Sequence, residues 1–435
     1  MIAEVTENKK TFWLGEFPSH WKVLRIKNLF KEMDNRSEAG SEELLSVSHY
    51  TGVTLKRESL ENEDDHLTNA ESLVGYKLVE KQDLVINIML AWNGSLGISQ
   101  FNGITSPAYC VYKIKGENNP EYFGYLFSTS MFKAEFRRNS TGIIDSRLRL
   151  YSDKFFSIFS FIPPKEEQDE IVNHIQIQEE KIKQFIQKKN DFIALLKEQR
   201  QSIINQAVTK GIEVKSKINK TANGLLPENW LSKRLKYIAD IKFSSVDKHI
   251  IEDEIPVRLC NYVDVYKNDY VTNDLELMLA TATESEIARF KVLKGDVIIT
   301  KDSEESIDIA VPTFVKEDLD NVICGYHLAI VRADETQILS EYIFRAFQSK
   351  DINSHFVIAA TGVTRVGLSM GEITGVRISY PKSLKEQQQI ITHIKTETSA
   401  IDIAIAKAEK EIELVKEYKA AMIYEAVAGK INKVL

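Results

Sequence analysis

The chain repeats itself once, and this constrains its fold more than any other feature. Pro18-Ser19-His20-Trp21 returns as Pro227-Glu228-Asn229-Trp230. Glu167-Gln168, followed by Ile171, Val172, His174 and Ile175, returns as Glu386-Gln387 with Ile390, Ile391, His393 and Ile394. Gln206-Ala207-Val208 returns as Glu425-Ala426-Val427. The copies are offset by about 209 residues at the first motif and about 219 at the second, far too long a period for a solenoid. A duplicated two-part unit predicts two similar surfaces related by a pseudo-two-fold axis. Such symmetry suits a target with two halves, and duplex DNA is the commonest.

Length and composition allow this. A chain of 435 residues has room for two or three domains with separate cores. Hydrophobic content of 43% with 27% charged residues reads as an ordinary soluble globular protein. No apolar run reaches the roughly 18 residues a membrane span needs. Met1 to Lys10 lacks the apolar core of a signal peptide. Cys110, Cys260 and Cys324 show neither disulfide nor zinc spacing, which points to a reducing cytoplasm. The net charge of −7 opposes tight independent binding to nucleic acid, although local distribution decides contact. Acidic residues crowd Glu58 to Asp65 and Asp302 to Asp308, whereas Arg137-Arg138, Arg147 and Arg149 gather positive charge.

Each copy holds a mixed part followed by a helical part. In the mixed part, β-rich runs such as Asp83 to Ile88 and Asp296 to Thr300 alternate with turn signals. Tyr109 to Ile114 and Leu328 to Val331 read as further strands. Glu121 to Phe127 and Glu341 to Phe347 read as short aromatic helices, their rings chiefly core. The helical part runs from about Glu166 to Thr209 and from Lys385 to Ala428, after Pro163-Pro164 and Pro381. Spaced by seven, a stripe carries Ile175, Ile182, Lys189, Leu196 and Ile203 in one copy, and Ile394, Ile401, Ala408, Val415 and Met422 in the other. A second stripe adds Ile186 and Ile193 against Ile405 and Ile412. Stripes held over four heptads predict coiled-coil seams, on helices each roughly 66 Å long. Antiparallel pairing of the two helices is the simplest arrangement; the alternative folds each helix back on its own mixed part.

No phosphate loop and no G-x-G-x-x-G follows a strand, so no nucleotide site announces itself. Asn119-Pro120-Glu121-Tyr122 looks superficially like the Asn-Pro-Pro-Tyr loop of amino-methyltransferases. Its third residue is Glu, and its counterpart at Glu341-Tyr342 lacks Asn-Pro, so it reads as the start of the aromatic helix. The eight histidines stand singly, without the carboxylate or nucleophile that acid–base work requires. The sequence reads as catalytically silent, with no metal site.

These motifs carry a family resemblance. Trp13 to Trp21 resembles the segment that opens each half of the specificity subunits of type I restriction–modification enzymes. Ile162-Pro163-Pro164-Lys165-Glu166-Glu167-Gln168 and Tyr380 to Gln387 look like the entrances to their conserved helices, the second copy having one proline and a longer gap. Ala207 to Gly211 and Ala426 to Lys430 are similar to the helix exits. Asn87 to Gly97 and Ser106 to Tyr109 resemble one subclass of recognition domain. The resemblance covers nearly the whole chain. It implies an α+β fold: two globular α/β target-recognition domains in pseudo-two-fold arrangement, separated by two long antiparallel coiled-coil helices. The expected divisions are 1–163 and 214–380 for the recognition domains, and 164–213 and 381–435 for the helices. It implies a non-catalytic subunit whose domains each read half of a bipartite DNA sequence while the helices fix the gap. Two methyltransferase subunits would dock on the helices, and two restriction subunits would translocate and cut DNA. S-adenosylmethionine, ATP and magnesium would sit on those partners, none on this chain.

Reading bases requires donors and acceptors on exposed loops. Trp92, Asn93 and Ser95 follow a strand; Arg138, Ser146 and Arg147 lie near a glycine-bearing loop matched by Thr364 and Arg365. Lys301, Ser303, Tyr50 and Tyr262 complete the candidates, a turn or packing role being the alternative for each. Two other classes compete: a coiled-coil scaffold with protein-binding heads, and a self-contained nuclease or methyltransferase, which the missing motifs disfavour.

Overall fold

A computed structural model describes residues 11–56, 72–144, 147–212, 218–221 and 224–430. Two compact units emerge: Met1–Lys188 with Lys410–Leu435, and Lys189–Glu409.

The first unit runs β1 (Lys22–Arg25), β2 (Phe30–Met33), β3 (Leu45–Ser48), β4 (Gly52–Leu55), β5 (Lys77–Val79), β6 (Leu84–Ile86), β7 (Leu96–Ile98), β8 (Gly103–Thr105), β9 (Cys110–Ile114), α1 (Pro120–Ser128), α2 (Ser130–Asn139), α3 (Ser152–Ser157) and β10 (Phe159–Ile162). Its main sheet has the order β2-β9-β6-β7, all antiparallel, with β1–β10, β3–β4 and β5–β8 as separate pairs. The buried run Leu84, Val85 and Ile86 explains why β6 is central. Asp83 begins that strand by accepting the Glu80 amide at 2.8 Å. At α1, Asn119 caps the Glu121 amide and Pro120 occupies the first turn, so this segment is a helix start. Phe30, Phe123, Phe127, Phe132 and Phe155 fill the space between sheet and helices.

The long helix α4 (Lys165–Lys210) leads into the second unit. There follow β11 (Ile218–Thr221), β12 (Gly224–Pro227), β13 (Trp230–Arg234), β14 (Ala239–Phe243), β15 (Ile255–Cys260), α5 (Tyr262–Lys267), β16 (Tyr270–Val271), β17 (Met278–Ala282), α6 (Glu284–Phe290), β18 (Val297–Thr300), β19 (Asp302–Ser303), β20 (Pro312–Val315), β21 (Val322–Cys324) and β22 (Leu328–Ala333). The chain then adds α7 (Ser340–Phe347), α8 (Lys350–Ala359), β23 (Val366–Gly367), α9 (Met370–Gly375), β24 (Arg377–Pro381) and α10 (Leu384–Val427). The main sheet, β14-β22-β18-β20-β16, repeats the first unit's order and adds one parallel edge strand. Asp296 repeats Asp83 by accepting the Leu293 amide at 2.8 Å. The unlike part is a three-stranded sheet, β17-β15-β21.

Both long helices serve both units. In the first unit, Val172, Ile175 and Ile182 of α4 share a core with Met422, Ala426 and Val427 of α10, and Lys419 meets Glu179 at 2.9 Å. In the second, Ile204, Ala207 and Val208 share a core with Ile390, Ile391 and Ile394, and Arg200 Nε meets Asp402 at 2.7 Å. Positions advance along α4 as they retreat along α10, so the helices pair antiparallel within each unit. Each helix starts on the mixed part before it and ends on the other one, which removes the arrangement folded wholly back on itself. Among the seam positions, Ile175, Ile182, Ile193, Ile394, Ile401, Ile412 and Met422 are buried, while Ile186, Leu196, Ile203, Ile405 and Val415 are half-buried. At the end of α4, Ile204 rather than Ile203 is the fully buried residue. A straight helix of 3.6 residues per turn drifts from a strict seven-residue stripe.

The repeated motifs meet in one joint per unit. Trp21 donates its indole N–H to Glu167 Oε2 at 2.9 Å, and Trp230 donates to Glu386 Oε1 at 3.0 Å. Gln168 donates to Pro163 O at 3.0 Å and accepts the Asn119 amide at 2.8 Å. Gln387 donates to Pro381 O and accepts the Leu339 amide, both at 2.8 Å. Tyr122 donates to Val427 O at 2.9 Å and Tyr342 to Val208 O at 3.4 Å.

Candidate nucleic-acid interface

In the second unit a polar cluster forms where β18, β19 and the turn before β22 meet the loop ahead of β23. His327 Nδ1 lies 2.6 Å from Asp302 Oδ1. With the carboxylate accepting there, Nε2 is left to face Arg365 Nη1 at 3.5 Å. Arg365 Nε stands 3.7 Å from Asp302, so one carboxylate orients both side chains. Lys301 is half-buried: its ammonium lies 4.5 Å from the Tyr326 ring centre and 5.2 Å from that of Phe243, and it donates to Ser244 O at 3.2 Å. Burial pushes the Lys301 ammonium below the usual lysine range. Tyr262 stacks on Tyr266 and lies 2.9 Å from Ser303 Oγ through its hydroxyl.

In the first unit the matching region is more aromatic. Trp92 lies in the turn Ala91–Asn93, donates to Met89 O at 3.1 Å and receives the Arg137 guanidinium 5.2 Å from its ring centre. Asn87 donates to the Tyr109 hydroxyl at 3.2 Å. Arg138 is exposed and paired with the buried Glu135 at 2.6 Å. Tyr50 stands exposed in the turn between β3 and β4, against His49.

One loop is common to both units. Thr141 and Arg149 exchange backbone bonds, both 2.9 Å, as Thr361 and Gly367 do at 3.1 and 2.9 Å. Leu150 N then returns to Ile88 O at 2.9 Å, and Leu368 N to Lys301 O at 2.8 Å. The loop glycines, Gly142 and Gly362, take φ of +154° and +147°. A side chain on Gly362 would sit 1.9 Å from Arg365 O, so only glycine allows this turn. Arg147, Thr364 and Arg365 are exposed on these loops; Ser146 lies outside the described residues.

Two expected hydroxyls are not available. Ser95 is 1% exposed because Gly94, at φ +93°, turns the chain inward onto β7. Ser303 is 3% exposed beneath Tyr262. Trp92 and Asn93 are half-buried, so the turn presents less polar surface than expected. The sequence does not point to His327 or Tyr326, and it marks Asp302 and Arg137 only as members of an acidic and a basic run. Only the closeness of Asp302 to the proposed Lys301 hinted at this group, since 25 residues separate Asp302 from His327.

Among the described residues there is no cluster of three or more metal-ligating side chains, and no helix is long and apolar enough to cross a membrane.

No protein-family model matches the chain. The type I restriction enzyme MjaVIII specificity subunit of Methanocaldococcus jannaschii is 22% identical over 439 aligned residues, covering 98% of this chain and 96% of its own. Among solved structures, an HsdS subunit from Thermoanaerobacter tengcongensis matches at 15% identity with a TM-score of 0.45, covering 96% of this chain and 98% of its own. A chain from a study of complex assembly and conformational transition of the type I R-M system superimposes with a TM-score of 0.65 at 12% identity. That match covers 96% of this chain and all of the other. Repeated motifs, similarity to the MjaVIII subunit along the whole length and the fold of that last structure agree, and the chain is a homologue of the specificity subunits of type I restriction–modification systems.

Proposed function

We propose that each mixed domain reads one half of a bipartite DNA sequence and that α4 and α10 set the gap between the halves. The observation that carries this reading is the pairing of like and unlike in the two units. Both close the same glycine loop with an arginine beside it, yet the groups around it differ: Trp92 and Arg137 in one, Asp302 and His327 in the other. A common frame with unlike polar groups is what two different half-sites require. The exposed arginines supply phosphate or guanine contact; Asp302 can accept from an exocyclic amine.

The helices are also the docking surface for methyltransferase subunits. Ile177, Leu414 and Tyr418 are exposed on helical surface in the first unit, as are Phe192, Leu195 and Ile403 in the second, and apolar side chains on long helices suit a protein partner. This chain reads DNA; its partners bind S-adenosylmethionine and methylate adenine, and ATP-dependent restriction subunits join them to translocate and cut. The test is selection from a random duplex pool by the chain mixed with its methyltransferase partner. Enrichment of two fixed blocks at a constant gap is expected. Absence of enrichment would leave a protein-binding scaffold.

A further inference from the structure

Ile143 and Val363 are the two most exposed large hydrophobic side chains among the described residues, at 99% and 104% of full accessibility. Each directly follows the loop glycine of its unit, so the two occupy the same place. Each loop is closed by paired backbone bonds at its base. A single exposed aliphatic side chain is ordinary on a protein surface, but packing within either unit does not account for full exposure at the same loop position in both. The partner's charge follows from the flanks: Arg147 and Arg365 stand exposed close behind the two tips. A base-reading side chain would differ between unlike half-sites, whereas the tip is β-branched and apolar in both units. A shared residue does a job that is independent of sequence.

On duplex DNA, an apolar tip beside a phosphate-binding arginine can meet a thymine methyl group in the groove, a contact that depends on sequence, or the stacked face of bases at an opened step, a contact that does not. We propose that Ile143 and Val363 are apolar wedges, each entering one base-pair step in its half of the bound duplex. This rests on the DNA-reading role proposed above. The arginines neutralise phosphates beside the opened step, and both wedges act by van der Waals contact alone.

The experiment uses the full chain with its methyltransferase partner and the target obtained by selection. If no gapped target emerges, the DNA-reading role itself falls. With a target in hand, 2-aminopurine is placed at successive positions of each half, away from the methylated adenine. The unmodified protein is expected to raise fluorescence at one step per half. Val363→Ala should abolish the rise in one half alone and weaken binding about tenfold, the loss expected for one buried aliphatic side chain; Ile143→Ala should do so in the other half. Val363→Thr, of equal size but polar, should behave like Val363→Ala, and Val363→Ile should keep the signal. Full exposure of the side chain means that none of these changes disturbs folding. Unaltered fluorescence and affinity in Val363→Ala would overturn the wedge while leaving DNA reading intact. It would equally be overturned if replacing thymines by deoxyuridine reproduced the loss, because the tip would then touch a methyl group in the groove.

Discussion

Trp230 gives its indole N–H to Glu386 at 3.0 Å, tying the first residue of β13 to the first turn of α10. Trp21 and Glu167 do the same at 2.9 Å in the other unit. This joint is where a mixed domain is fastened to the helix that leaves it. Glu386→Ala leaves a part-buried indole without its acceptor and should cost about 1–3 kcal/mol. Glu386→Gln retains an acceptor and should cost less. Urea denaturation followed by tryptophan fluorescence measures both, and equal stability of all three proteins would remove the joint's role.

The helix exits close the same joint. Gly429 has φ +68°, and a Cβ there would meet Pro18 Cδ at 2.6 Å and Trp21 at 2.8 Å. Gly211 has φ +77°, but a Cβ would find Trp230 only at 3.5 Å. Gly211→Ala therefore carries backbone strain alone, about 1 kcal/mol, while Gly429→Ala adds a steric clash with ring atoms. Thermal melting should show a clearly larger loss of Tm for Gly429→Ala.

The helix surfaces divide by burial. Ile175 is fully buried and Ile175→Ala should cost about 2–5 kcal/mol. Leu195 is 65% exposed, so Leu195→Ala should change stability by less than about 0.5 kcal/mol. Analytical ultracentrifugation with the methyltransferase partner should nevertheless show weaker association for Leu195→Ala. Unchanged association would move the docking surface elsewhere.

Arg365 is held by Asp302 and His327 with part of its fork open. Arg365→Ala should weaken binding by about 1–3 kcal/mol and relax choice in one half-site only if it pairs with guanine. A phosphate contact would instead weaken all targets alike and lower the salt slope by about 1. Binding isotherms on half-site variants at several salt concentrations separate the two.

If the helices are the ruler, inserting about one heptad into 179–199 and into the facing stretch of α10 should change the gap and leave both blocks intact. Methylome sequencing of cells carrying the variant reads the result directly. Altered blocks with an unaltered gap would contradict the division of labour.

Much of this architecture can be read from the chain. Proline before a long heptad stripe, and the extent of the stripe itself, locate α4 and α10 within a residue or two, because helix entry and periodicity are local properties. The aromatic helices and the central strands β6 and β18 follow from short runs in the same way. The site was less legible. Ser95 and Ser303 were expected at the surface because each follows a strand, but the turn geometry at Gly94 and the ring of Tyr262 enclose them. His327 is not legible as a site residue because nothing near it in sequence partners it, and its carboxylate arrives from another strand.

The sequence by itself determined that there are two copies, where each helix begins and stops, and which faces are apolar. Backbone hydrogen bonding and side-chain periodicity act over a few residues, so these properties are written into short stretches. Tertiary structure alone decided that each helix ends on the other copy's domain, bringing Val427 to Tyr122 and Val208 to Tyr342. Two apolar helix ends of nearly equal composition can each cover either core. Only burial across more than a hundred residues of chain selects between them.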